Sequence, residues 1–298
     1  MLPLLTLLRL YYLTLISTSF ISAIIPTLRA SFLKYGKTYS AEAATALGRV
    51  TVHKSLFWHF YVIGFIWVFF LLVDILYLRF SFIPWLVHIW CDESDYGAYY
   101  RQDAEVCLIG LMMLFIQVSR RGYECFFVEK PSKDARMHIG HYLVGITFYL
   151  VTGLAVCIEG FGNLGVFDIN ASPLVFPLIN SLVKPKIVFS AVLFLIASYH
   201  QHKLHKILAS LRGPNSPKYS VTKGDWYDHI SSAHYFAEIL IYLSFVVLNS
   251  GGNITLWLAF LWTIVGLGVT ARENEQWGKE KFKEDWPRNR YIIIPWIY

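Results

Sequence analysis

The chain has 298 residues, of which 56% are hydrophobic and 15% charged, and a net charge of +6. An ordinary soluble domain carries about 25% charged residues, so this composition excludes a soluble globular enzyme, a disordered chain and a disulfide miniprotein. What remains is an all-α polytopic membrane protein, and 17% aromatic residues supply the Trp and Tyr that anchor spans at both interfaces. Cys91, Cys107, Cys125 and Cys157 form no CxxC, so neither a zinc finger nor a redox pair is indicated.

In chain order, residues 4–28 are apolar with Arg9 as the one interruption. The run is too long for a signal-peptide core and no small-x-small cleavage site follows, so it reads as a retained anchor. Residues 57–77 make a full span of about 20 apolar residues containing one acid, Asp74. Residues 80–90 are half a span and read as lying in the interface. Further spans are expected at 104–118, 137–157, 187–199, 236–248 and 254–270. Pro173, Pro177 and Pro185 blur the start of the fifth. Asn249 to Asn253 is a tight turn joining the last two.

About seven transmembrane helices place the termini on opposite sides. Residues 29–56, 119–136, 200–235 and 271–298 hold 21 of the 26 Lys and Arg. The positive-inside rule then puts those segments and the C-terminus in the cytosol and the N-terminus in the lumen. Of two glycosylation sequons, Asn170 precedes a Ser-Pro pair and Asn253 lies at the membrane, so both are expected to be unused. No repeat or low-complexity tract divides the chain, and residues 1–298 read as one membrane-embedded domain.

Chemistry-capable side chains gather on the cytosolic face. They form five clusters: His53 to Tyr61, Gln117 to Cys125, His200 to Arg212, Lys223 to Glu238, and Arg272 to Arg290. Each has a plain alternative. Arg120 and Arg121 serve equally as positive-inside anchors, and Glu124 four residues after Arg120 as a helix-surface pair. The tail charges fit a solvated face, and His59 a helix-end residue. Glu238 is harder to dismiss, because an acid within an apolar run is costly unless paired. His138, His141, His200, His202 and His205 lack the HxxHH boxes of a membrane di-iron site, so no metal is expected. Gly160, Gly162 and Gly165 follow no strand and read as a loop. Nucleic-acid binding finds no support. Cations for phosphates beside apolar helices for a lipid chain point to a lipid-modifying enzyme with a charged cytosolic cofactor.

Several of these stretches resemble the steroid 5α-reductase family and, within it, the polyprenol reductase branch. Phe57 to Tyr61 is similar to F-S-H-F-Y, and Gln117 to Glu124 to Q-x-x-R-R-x-x-E. His200 to Arg212 resembles H-Q-x-x-x-H-x-I-L-x-x-L-R. Gly224-Asp225-Trp226 through Tyr242 looks like the G-D-W…S-x-x-H-Y-L-A-E-x-x-I-Y segment and is the most specific match. Lys279 to Pro295 resembles the family's close, with one extra residue between Phe282 and Pro287.

The resemblance covers about residues 50–298. It implies a seven-helix NADPH-dependent reductase of the endoplasmic reticulum membrane, multi-pass, with residues 1–50 as anchor helix and loop. About 140–298 would form the cofactor-binding half. It implies saturation of the α-isoprene double bond of a long polyprenyl lipid, giving the dolichol series for protein N-glycosylation. Cofactor contacts carried across are Arg121, Gln201, His205, Arg212, Tyr219, His234, Glu238, Arg272 and Asn274, with Arg121 and Arg212 expected on phosphates. His59 stands where steroid reductases have a catalytic Gln, Phe60 where they have Glu, and Val118 where they have Tyr. Those departures favour an isoprenoid over a steroid. Hydride adds poorly to an isolated allylic alcohol, whereas a conjugated aldehyde spreads the charge onto oxygen, so polyprenal is the expected substrate. His59 is then the expected donor to the carbonyl oxygen, with Tyr61 or Tyr123 in support. The alternatives are reduction of a steroid or enoyl-CoA, an isoprenylcysteine-type methyltransferase, whose His-Pro motif is missing here, and a non-enzymatic lipid-binding relative.

Overall fold

The computed structural model describes residues 3–29, 50–77, 82–90, 93–130, 135–166, 182–212 and 219–298. The sequon at Asn170, Cys91 and most of the loop after the first helix lie outside them. Seven helices make the body: α1 Leu4–Ile24, α2 Trp58–Leu76, α3 Ala104–Tyr123, α4 Ile139–Cys157, α5 Pro185–Ser210, α6 Ala233–Leu248 and α7 Ile254–Phe282. Each of the seven expected apolar segments is helical. Four of these helices, α1, α2, α4 and α7, are long and apolar enough to cross a bilayer. The half-length segment is also a helix, Phe82–Trp90.

Local sequence sets the ends. Pro185 opens α5 at its first turn, where a missing N–H costs nothing. Asn253 caps α7 by accepting from the Leu256 amide at 2.9 Å. Asn253 is 3% exposed, consistent with an unused sequon. Two expectations about ends need correcting. The 200–235 segment is not wholly loop, because α5 runs on to Ser210 and carries the His200–His205 cluster on helix faces. The tail likewise begins as helix, because α7 reaches Phe282 and takes Arg272 and Asn274 with it.

Helix α3 is central and touches α2, α4, α5 and α6, while α1 packs along α7 and α6 bridges α5 and α7. Close approach of α2 and α4 depends on small residues: a Cβ on Gly64 would sit 3.0 Å from Tyr149 Cβ. At one end of the bundle, Arg9 reaches Glu159 at 3.2 Å, Glu159 accepts from the Thr255 hydroxyl at 3.0 Å, and Asn253 Nδ2 donates to the Ala155 carbonyl at 3.0 Å. These bonds pair Arg9, Thr255 and Asn253 among apolar neighbours, while Glu159 Oε2 is buried with no partner in the described residues.

The other end carries most of the charge. A two-stranded antiparallel ribbon, β1 Thr51–His53 with β2 Arg136–His138, joins the starts of α2 and α4, with His53 opposite Arg136. After α3 the backbone makes a π turn, Glu124–Val128, a geometry often found at functional sites. The Gly224-Asp225-Trp226 segment folds onto α5, where Trp226 stacks on His200 at 4.3 Å and Asp225 accepts from His200 at 2.8 Å. Gly224 has φ +93°, a conformation that suits glycine. The last residues pair with the loop before α6 through Ser231 N–Tyr291 O at 2.8 Å and Ser232 N–Ile292 O at 3.0 Å.

Candidate active site

Between the ribbon and the helices lies a cavity of about 710 Å³. Its wall draws on α1 (Leu15 to Ser22), α2 (Phe60, Tyr61), the end of α3, α4 (His141 to Tyr149), α5 (Gln201 to Ala209), α6 (His234 to Tyr242) and α7 (Trp262 to Thr270). Both halves of the chain build it, so it is not confined to residues 140–298. Helix α1, expected as an anchor, is also a wall.

The cavity has two kinds of surface. Toward the ribbon it is lined by Lys54, Arg121, Glu129, Lys130, Gln201, His205, Arg212, His234 and Glu238. Toward the body it is lined by Leu15, Phe60, Val144, Phe148, Trp262 and Leu267, with small residues Gly145 and Gly266 among them. Phe60 lies flat over Gly145, where a Cβ would come within 2.5 Å of its ring. Three tyrosines, Tyr61, Tyr149 and Tyr242, stand where the two surfaces meet, and all are at most 6% exposed.

The polar surface is a connected network. Glu124 is fully buried and takes Arg120 at 2.5 Å, Arg121, His202 at 2.9 Å and His205 at 2.7 Å. Arg121 also reaches Glu129 at 3.0 Å and donates to the Tyr61 hydroxyl at 3.0 and 3.2 Å. Gln201 accepts from Arg120 and donates to Glu238, which Gln117 reaches at 3.4 Å. One chain of bonds thus crosses α3, α5 and α6. Burial alone would raise the Glu124 carboxyl, but the His205 hydrogen bond and the two guanidinium charges hold it far below the usual carboxylate range. Burial and the adjacent Arg121 push the His205 imidazole down, so it is neutral near pH 7. Burial pushes the Cys125 thiol up to about 12.

The sequence-predicted residues divide into two groups. Arg121, Gln201, His205, Arg212, His234, Glu238 and Tyr61 line the cavity together. His59 does not: its Nδ1 bonds the Tyr142 hydroxyl at 2.7 Å outside the lining. Tyr123 is 53% exposed and Tyr219 is 40% exposed, packed edge-on to Trp277. Arg272 points to solvent and Asn274 is half-buried on α7, neither in the lining. Residues to which the sequence assigned no role include Lys54, Glu129, Lys130, Tyr149 and Tyr242, although Lys54 lies in the first cluster and Tyr242 closes the most specific family-like stretch. The lysines sit in ordinary charged loops, and the two tyrosines lie inside apolar runs where they read as interface anchors.

The donor set fits a phosphorylated dinucleotide: Lys54, Arg121, Lys130 and Arg212 supply cations in the lining. Glu124, Glu129 and His205 come close enough together to resemble a cation site, yet Arg121 already lies against all three.

The chain is similar to known proteins over most of its length. Residues 162–298 match the family described as 3-oxo-5-alpha-steroid 4-dehydrogenase. The chain is 30% identical to Polyprenal reductase 1 of Oryza sativa subsp. indica over 312 residues, covering 91% of this chain and 88% of the relative. It is 31% identical to Polyprenal reductase 2 of Arabidopsis thaliana, over 84% of this chain and 83% of the relative. It is 29% identical to the Polyprenal reductase of Mus musculus, over 89% and 85%.

Proposed function

Because this chain belongs to the polyprenal reductases of the 3-oxo-5-alpha-steroid 4-dehydrogenase family, we propose that it uses NADPH to saturate the α-isoprene double bond of polyprenal, on the route to dolichol for protein N-glycosylation. It is a membrane reductase acting on a carbon–carbon double bond. The proposal extends to one domain that spans the endoplasmic reticulum membrane seven times, N-terminus lumenal, with its charged end in the cytosol where NADPH is available.

The observation that carries this reading is the cavity's division into a cationic mouth and an apolar body that meet at three buried tyrosines. Arg121 and Arg212, with Lys54 and Lys130, would hold the phosphates. Gln201, His234 and Glu238 would orient the sugars and amide by hydrogen bonds. When bound, NADPH supplies the hydride. The apolar side chains of α1, α4 and α7 in the wall, such as Leu15, Val144, Phe148, Trp262 and Leu267, would hold the first isoprene units. Glu124 and Glu129 keep Arg121 aimed, and His205 stays neutral beside them. A steroid ketone would miss its carboxylate here, because Phe60 is apolar and lies on Gly145.

The test is NADPH consumption by the purified protein in liposomes, with polyprenal and polyprenol offered separately. Turnover of polyprenal is expected. Turnover of polyprenol alone, or of a steroid enone in its place, would refute the reading.

A further inference from the structure

The reaction needs a hydrogen-bond donor at the aldehyde oxygen, at the depth where the cofactor's end of the cavity meets the lipid's. Among the tyrosines of the lining, three are buried: Tyr61, Tyr149 and Tyr242. The Tyr61 oxygen accepts two bonds from Arg121, which hold that hydroxyl at the polar end. Tyr149 is packed against Tyr61, ring centroids 5.4 Å apart, and its Cβ and Cγ are held close against Gly64. The Tyr242 hydroxyl is buried near the Tyr149 side chain with no partner in good hydrogen-bond geometry among the described residues, although Tyr242 lines the cavity and is 3% exposed. A buried hydroxyl without a partner costs about 1–3 kcal/mol, so such groups are normally satisfied, here by a ligand.

Position supports the same residue. Tyr242 is four residues after Glu238 on α6, so both face the cavity one turn apart. Glu238 is tied by Gln117 and Gln201 to the polar end. The Tyr242 ring rests on Phe148, centroids 5.6 Å apart, at the apolar end. Its oxygen is therefore placed between the two ligands. His59, by contrast, spends its Nδ1 on Tyr142 outside the cavity.

We propose that Tyr242 is a catalytic residue, its phenolic O–H donating to the aldehyde oxygen of the α,β-unsaturated substrate. This rests on the polyprenal reading above. As hydride from NADPH is taken up at the β-carbon, the C=C electron pair moves toward the carbonyl and the oxygen becomes an enolate. Tyr242 stabilises that charge through its hydrogen bond. The α-carbon then takes a proton from water as the C=O re-forms. The balance is enal, NADPH and one proton giving saturated aldehyde and NADP⁺.

Tyr242→Phe removes only the oxygen. Loss of one oxyanion donor costs about 100- to 1,000-fold in kcat, and that drop is expected with KM and NADPH affinity changed less than about threefold. Tyr149→Phe, the neighbouring hydroxyl, is expected to lose less than about fivefold. If wild-type protein turns over polyprenal and Tyr242→Phe keeps kcat within threefold, or if both variants fall equally, the proposal is overturned while the functional reading stands. If wild-type protein does not reduce polyprenal, the functional reading itself fails. Should Tyr242→Phe lose NADPH binding, 3-fluorotyrosine at position 242 replaces it. Its more acidic phenol is expected to move the basic limb of the kcat–pH profile downward, and an unmoved limb overturns the proposal.

Discussion

Glu124→Gln tests whether the polar end is held by an ion cluster. The side chain is 0% exposed and faces Arg120 and Arg121, which are 15% and 8% exposed. Removing one partner of a buried pair costs about 3–5 kcal/mol. Two compensations lower that figure. Arg121 keeps Glu129 at 3.0 Å, and Arg120 keeps Gln117 at 2.7 Å. A loss of about 2–3 kcal/mol is therefore expected, a fall of roughly 5–10 °C in Tm for a domain of this size. The assay is thermal unfolding in detergent followed by tryptophan fluorescence. The depressed Glu124 carboxyl gives the pH dependence. Its contribution is complete above the ordinary value of 4.5 and is lost as pH falls through its lower folded value. The gap between wild type and variant should stay flat from pH 8 to 5 and close only in stronger acid. A shift under about 2 °C, or a gap that closes near neutrality, would refute the reasoning.

Arg121→Lys keeps the charge and loses the guanidinium fork that spans Tyr61, Glu124 and Glu129. NADPH affinity measured by fluorescence quenching should weaken about 10- to 100-fold, the worth of one or two charge-assisted bonds, and unchanged affinity would remove Arg121 from the cofactor's end. His205→Asn tests the depressed imidazole. In the wild type the unfolded His takes a proton below pH 6.5 and the folded one does not, so stability falls as pH drops from 6.5 toward the lower folded value. The variant's Tm should fall less over pH 7 to 5, and a parallel decline would count against a neutral buried His205.

The helices were readable because a membrane span needs only length and apolarity, as in residues 57–77. Their ends were less readable. Beyond Tyr199 and Thr270 the chain turns polar while the helix continues, because helical geometry does not require apolar side chains once packing on α6 or the last loop supports it. Glu124 looked like half of a surface pair, and only the π turn and α5 make it a four-partner centre. His59 carried the motif's signal, yet its ring turns to Tyr142, an orientation set by a helix 83 residues away in sequence. Tyr149, and Tyr242 although it closes a family-like stretch, received no role for a related reason. Within an apolar run, a tyrosine facing lipid and a tyrosine facing a cavity have the same neighbours in sequence.

The lock of Arg9, Glu159 and Thr255 at the far end has a consequence for the membrane as an insulator. A cation-lined cavity open at one end is half of a pore, and a potential across the bilayer acts on any charge able to cross the other half. Beside the lock, Gly110 meets Val156 and Leu248, and Gly160 meets Cys107 too closely to admit a Cβ. The polar groups of the lock are bonded largely to one another. With NADPH bound as proposed, a highly charged nucleotide would reach the interior of a bilayer with this packed, ion-paired end between it and the far side.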